Sequence, residues 1–113
     1  MVSEEMRRSA TRRVSELRTL QNPLYMEIAL TLYTADPNRI PYGDLVKTLM
    51  DVHSFGYAPS LDDCHTIDDY YRVVGGALHD LATAGIVNDR PSTEEVQFSL
   101  TAEGYKIIQF LVE

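Results

Sequence analysis

Leu81-Ala82-Thr83-Ala84-Gly85-Ile86-Val87 halts an apolar helical pattern at a glycine and runs at once into β-branched residues. Leu100-Thr101-Ala102-Glu103-Gly104-Tyr105 closes an alternating pattern with a helix cap. Glycine is the residue best suited to the left-handed position just past a helix, so Gly85 marks a stop. Upstream, Thr66 is a good N-cap and Asp68 and Asp69 sit in the first turn, where the helix dipole favours acid. Ile67, Tyr70, Val73, Val74, Ala77, Leu78 and Leu81 then recur at the spacing of one buried helix face. Downstream, Pro91-Ser92-Thr93 has turn chemistry, and Val96, Phe98 and Leu100 alternate with Gln97 and Ser99 as in a half-buried strand. The spacing predicts a long helix over 66–84, a hairpin over 86–100 and a closing helix. Thr101 caps that last helix, with Tyr105, Ile108, Leu111 and Val112 facing inward.

Toward the amino end, Asn22-Pro23 pairs a cap with a proline at the first helical position, where a missing N–H costs nothing. Leu24, Ile28 and Leu32, with Tyr25, Ala29 and Tyr33, give that helix a broad buried face, and Asp36-Pro37-Asn38 ends it. Ile40 suits a short strand-like bridge, and Leu45, Val46, Leu49 and Met50 mark a helix over 41–52. His53 to His65 carries no sustained period and contains Gly56, Pro59 and Ser60, which reads as a long loop. Met6, Ala10, Val14, Leu17 and Leu20 form a stripe on an amphipathic helix over 3–20. The expected organisation is therefore a basic amphipathic helix in 1–21 and one domain in 22–113, mainly α with a small β-hairpin.

Composition narrows the function classes. A length of 113 residues suits one core, and an apolar share of 44% is too high for a disordered chain. No window approaches the ~18 consecutive apolar residues of a membrane span, and the first residues lack the apolar core of a secretory signal, so a cytoplasmic protein with no membrane partner is expected. The single Cys64 cannot form an internal disulfide. Residues 1–18 hold five Arg against three Glu, whereas 19–113 hold five basic groups against fourteen acidic ones. A body that acidic repels phosphate unless its few cations gather on one surface.

The order helix, bridge, helix, connection, long helix, Leu-x-x-x-Gly-Ile-Val, hairpin and Leu-Thr-x-x-Gly-Tyr resembles the winged helix-turn-helix superfamily, with regulators of the MarR-like and PadR-like kinds similar over about 22–112. The resemblance implies a DNA-binding transcriptional regulator whose helix before the wing enters the major groove. Carried onto this sequence, the outward positions are Asp68, Asp69, Arg72, Gly75, Gly76 and His79, with Arg90 in the wing. Two departures stand out. The helix leads with two carboxylates where base readers usually present Arg, Lys, Asn or Gln, and the 13-residue connection exceeds the ~3–4-residue turn of the motif.

Each candidate has a plainer reading beside it. Arg72 suits a phosphate or guanine contact, or an intrahelical pair with Asp68 or Asp69. Gly75-Gly76 implies close approach of another backbone, or a kink. Arg7, Arg8 and Arg12 suit an arm along phosphates, or a solvated helix face. His53, Asp62, Asp63, Cys64 and His65 match no recognised ligand spacing, so no metal and no cofactor is expected. No nucleophile elbow, phosphate-cradling glycine loop or zinc helix occurs, and His79 stands apart from any acid–base set, so no enzyme is expected. The leading reading is a homodimer on duplex DNA, paired through the N-terminal and C-terminal helices. The alternative is an acidic winged helix that engages a basic protein, or mimics DNA, through the carboxylates at 62, 63, 68 and 69.

Overall fold

The computed structural model describes residues 18–90 and 95–113. Helix α1 (Pro23–Ala35) leads to strand β1 (Ile40–Pro41) and helix α2 (Tyr42–Ser54). A 3₁₀ turn (Pro59–Leu61) precedes helix α3 (Ile67–Thr83), strands β2 (Val87–Arg90) and β3 (Gln97–Leu100) and helix α4 (Ala102–Val112). The sheet runs β1-β3-β2, antiparallel throughout, with Ile40 opposite Phe98 and Val87 opposite Leu100. Among the described residues no helix is long and apolar enough to cross a membrane.

The expected caps form. The Asn22 side chain accepts the Leu24 N–H at 3.0 Å, with Pro23 opening α1. Thr66 and Asp69 make a reciprocal capping box at the start of α3, satisfying two of the donors that a helix start leaves orphaned. At the other end of α3, Gly85 adopts φ 79°, the Gly85 N–H donates to the Ala82 carbonyl at 3.1 Å, and the Ile86 N–H donates to the Leu81 carbonyl at 3.0 Å. This pair of bonds is the Schellman arrangement, and the buried Leu81 and Ile86 are the apolar pair that accompanies it.

Ile28 and Leu32 of α1, Leu45 and Leu49 of α2, Leu78 and Leu81 of α3, Ile86 just before β2 and Ile108 of α4 share one core and are all essentially inaccessible. Strands β2 and β3 close it from one side with Val87, Phe98 and Leu100. The two motif runs meet at a single joint. The Thr101 N–H donates to the Ile86 carbonyl at 2.9 Å, the Thr101 hydroxyl donates to the Gly85 carbonyl at 2.7 Å, and the same hydroxyl oxygen accepts the Gly104 N–H at 2.9 Å. Gly104 is buried there because a Cβ would lie well inside 3.0 Å of the Ile86 carbonyl oxygen, a separation real Cβ atoms essentially never show.

Four expectations need correction. Ile67 is exposed, because the first residue of α3 points past the core instead of into it. Leu111 and Val112 are exposed along with Phe110, in the last turn of α4. Val96 is also exposed, lying ahead of the paired part of β3. The stretch 53–65 is not a featureless loop: α2 continues to Ser54, and the remainder is held down by Ala58, Leu61 and Cys64, all buried. Ala58 takes a left-handed conformation, φ 54°, to turn its methyl into the core. The N-terminal helix and the Pro91 to Thr93 turn lie outside the described residues, apart from helical Arg18 and Thr19 and buried Leu20.

Candidate nucleic-acid interface

Helix α3 offers the principal outward surface. At ~100° per residue, positions 68, 72, 76, 79 and 83 fall within an arc of about 80°, opposite the buried side formed by Val74, Ala77, Leu78 and Leu81. Asp68, Arg72, Gly76, His79 and Thr83 are all exposed, so the chain presents one polar stripe along α3. Thr83 was not among the residues expected from the sequence, although its spacing four residues after His79 places it there. Its hydroxyl donates to the His79 carbonyl at 2.9 Å.

Of the two roles anticipated for it, Arg72 shows the intrahelical pair. Its Nη2 lies 3.2 Å from Asp69 Oδ1, yet its side chain remains 79% exposed. An exposed pair at this spacing is worth at most a few tenths of a kcal/mol, so the guanidinium is free to exchange that partner for another at little cost. Asp69, by contrast, is committed. Its carboxylate accepts the backbone N–H groups of His65 at 3.0 Å and Thr66 at 3.2 Å, and these bonds hold its pKa below the ordinary carboxylate value. One of the two leading acids of α3 thus serves the helix cap, and Asp68 alone faces outward unengaged by it.

The paired glycines separate. A Cβ at Gly75 would lie 2.5 Å from the Tyr42 hydroxyl, which donates to the Tyr71 carbonyl across the α2–α3 contact. The Tyr42 ring also meets Tyr71 edge-on, with centroids 5.2 Å apart. Gly75 therefore has a packing reason inside the molecule. Gly76 has none among the described residues: nothing of them lies within 4 Å of a Cβ built there. His79 and Arg90 are exposed, the latter at the end of β2, whereas Arg7, Arg8 and Arg12 lie outside the described residues.

The connection before α3 is fastened by a histidine that sequence reasoning treated only as a metal candidate. His53 Nδ1 lies 2.6 Å from the Tyr70 hydroxyl, and Nε2 lies 2.8 Å from Asp62 Oδ1. The ring ties the end of α2 to the first turns of α3 and to the 3₁₀ turn. Cys64 is buried behind it, and burial, reinforced by the nearby Asp69, pushes its thiol pKa up. Among the described residues no group of three His, Cys, Asp or Glu side chains is placed to hold a metal ion. The same connection exposes Phe55 and Tyr57, flanked by Asp51, Asp62 and Asp63, all exposed.

No protein-family model matches the chain, and no curated protein does. Among solved structures it is similar to reduced HlyU from Vibrio cholerae N16961, with 19% identity over 96% of this chain and 94% of that one and a TM-score of 0.62. It is similar also to the transcriptional repressor BigR from Xylella fastidiosa, with 20% identity over 98% of this chain and 93% of that one and a TM-score of 0.61. This chain has the winged helix-turn-helix fold. In it α3 is the helix that precedes the wing, and β2 with β3 forms the wing.

Proposed function

We propose that the chain is a DNA-binding transcriptional regulator that acts as a homodimer, with α3 in the major groove and the wing against the backbone. The observation that carries this reading is the exposed stripe of α3, with Arg72 opposite the core and loosely held. The fold shared with a transcriptional repressor supports it. Arg72, Gly76 and His79 would approach base edges, Arg90 would meet phosphate from the wing, and Arg7, Arg8 and Arg12 would supply further backbone contacts. Gly75 would serve this face indirectly, by letting Tyr42 seat against α3. Phe110, Leu111 and Val112 leave an apolar end on α4, the kind of surface a second copy would cover together with the N-terminal helix. What supports the narrower likeness to MarR-like or PadR-like regulators is the pair of motifs at 81–87 and 100–105.

A second reading has its own observation. Exposed Phe55 and Tyr57 among Asp51, Asp62 and Asp63 form an acidic, aromatic surface suited to a basic protein segment. Fluorescence anisotropy with labelled duplex at two salt concentrations separates the two. The DNA reading requires binding at low salt that weakens by ~0.9 log units per log unit of salt for each phosphate contacted, and an Arg72→Ala loss of about tenfold or more. Absence of duplex binding at low salt would leave the protein-binding reading in place. Sedimentation would test the homodimer.

A further inference from the structure

The adjacent glycines of α3 invite a single explanation, but the structure gives a reason for only one of them. Gly75 makes room for Tyr42. Gly76 sits one residue further on, exposed, without the positive φ that would demand glycine, and with open space where its side chain would be. Glycine is among the poorest helix formers, so α3 carries a local defect at its middle that no packing or backbone requirement among the described residues accounts for. The defect falls on the outward stripe, one turn beyond Arg72 and just before His79. The missing side chain leaves the helix backbone open at that point to close approach by something beyond the described residues.

We infer that Gly76 is a specificity-determining position: the point at which α3 comes nearest the floor of the major groove, its bare backbone setting the depth at which Arg72 and His79 reach base edges. The inference rests on the DNA reading of α3. Its chemistry is that of direct readout. A bidentate arginine contact to guanine tolerates little displacement, because both N–H groups must meet O6 and N7 together. A methyl at position 76 would lift the helix and lengthen those contacts, while phosphate contacts from flexible side chains would adjust. Discrimination between sequences should fall, and sequence-independent attraction should persist.

The test is Gly76→Ala in the full chain, with thermal unfolding and duplex binding measured in parallel. The probes are a duplex enriched from a randomised pool by the wild-type protein and an unselected duplex of the same length. The variant should melt about 4 °C higher, since the added methyl meets nothing and favours the helix. It should bind the enriched duplex about tenfold more weakly and the unselected duplex within about twofold of wild type. A variant that is more stable yet binds the enriched duplex as tightly as wild type overturns the inference and leaves the DNA reading standing. A lowered melting temperature also overturns it, by revealing an internal need for the glycine. So does a loss of self-association with unchanged duplex affinity, which would assign the bare backbone to a second copy. Failure of the wild-type protein to bind any duplex at low salt removes both the inference and the reading beneath it.

Discussion

Replacing Gly104 by alanine should be among the costliest single-methyl additions this fold can receive. The new Cβ would press on the Ile86 carbonyl oxygen from well inside 3.0 Å and lie 3.1 Å from the Thr101 hydroxyl oxygen. Neither neighbour can swing aside. The Ile86 carbonyl is held by the Thr101 N–H at 2.9 Å, and the hydroxyl is engaged by both the Gly85 carbonyl and the Gly104 N–H. Overpacking of this kind costs ~1–3 kcal/mol, and loss of one hydrogen bond at the joint adds ~1 kcal/mol. Against this stands the better helix propensity of alanine, ~1 kcal/mol. The net is a destabilisation of about 2 kcal/mol. With an unfolding entropy near ~2.1 cal/mol/K per residue, that lowers the melting temperature of a chain this size by roughly 8 °C. Urea unfolding monitored by circular dichroism gives the free energy, and calorimetry gives the melting temperature. A Gly104→Ala protein that melts within about 2 °C of wild type, or above it, would show that the joint between wing and closing helix is soft and yields to an added methyl.

Two further outcomes follow from the same geometry. The Asp69 carboxylate is favoured in its charged form by the His65 and Thr66 N–H groups, so its contribution to stability should be present at neutral pH and fade as the pH falls through its lowered pKa. The stability gap between wild type and Asp69→Asn should therefore shrink as denaturation is repeated below about pH 4, and a gap independent of pH would contradict the assignment. Leu61→Ala should cost ~2–5 kcal/mol, because this side chain of the 3₁₀ turn is fully buried. A loss under about 1 kcal/mol would mean that the connection rests on the core without belonging to it.

The elements were legible because their signals are local. Asn22-Pro23, Thr66 with Asp69, and Gly85 each announce a boundary through the backbone groups they can satisfy, and each appears where the pattern put it. What the pattern could not supply was which face finds a neighbour. Leu111 and Val112 keep the helical spacing of an inward face, but both are exposed in the last turn of α4. Leu61 and Cys64 anchor the connection singly, without the repetition on which periodicity depends. At the candidate interface, spacing offered Arg72 a partner in Asp68 or Asp69, and the structure selects Asp69. The distinction between Gly75 and Gly76 could not, since it rests on a tyrosine 33 and 34 positions earlier in the chain. Nor does sequence reveal that His53 joins Tyr70 and Asp62, contacts made across two turns of chain.

The burial of Cys64 has a practical side. As the only cysteine of the chain, shielded from solvent and disinclined to ionise, it leaves the native surface silent toward thiol reagents. A cysteine introduced at exposed Phe55 would then react alone. A dye attached there would stand on the connection fastened by His53 to the first turns of α3, and would report by its own emission whatever that helix comes to touch.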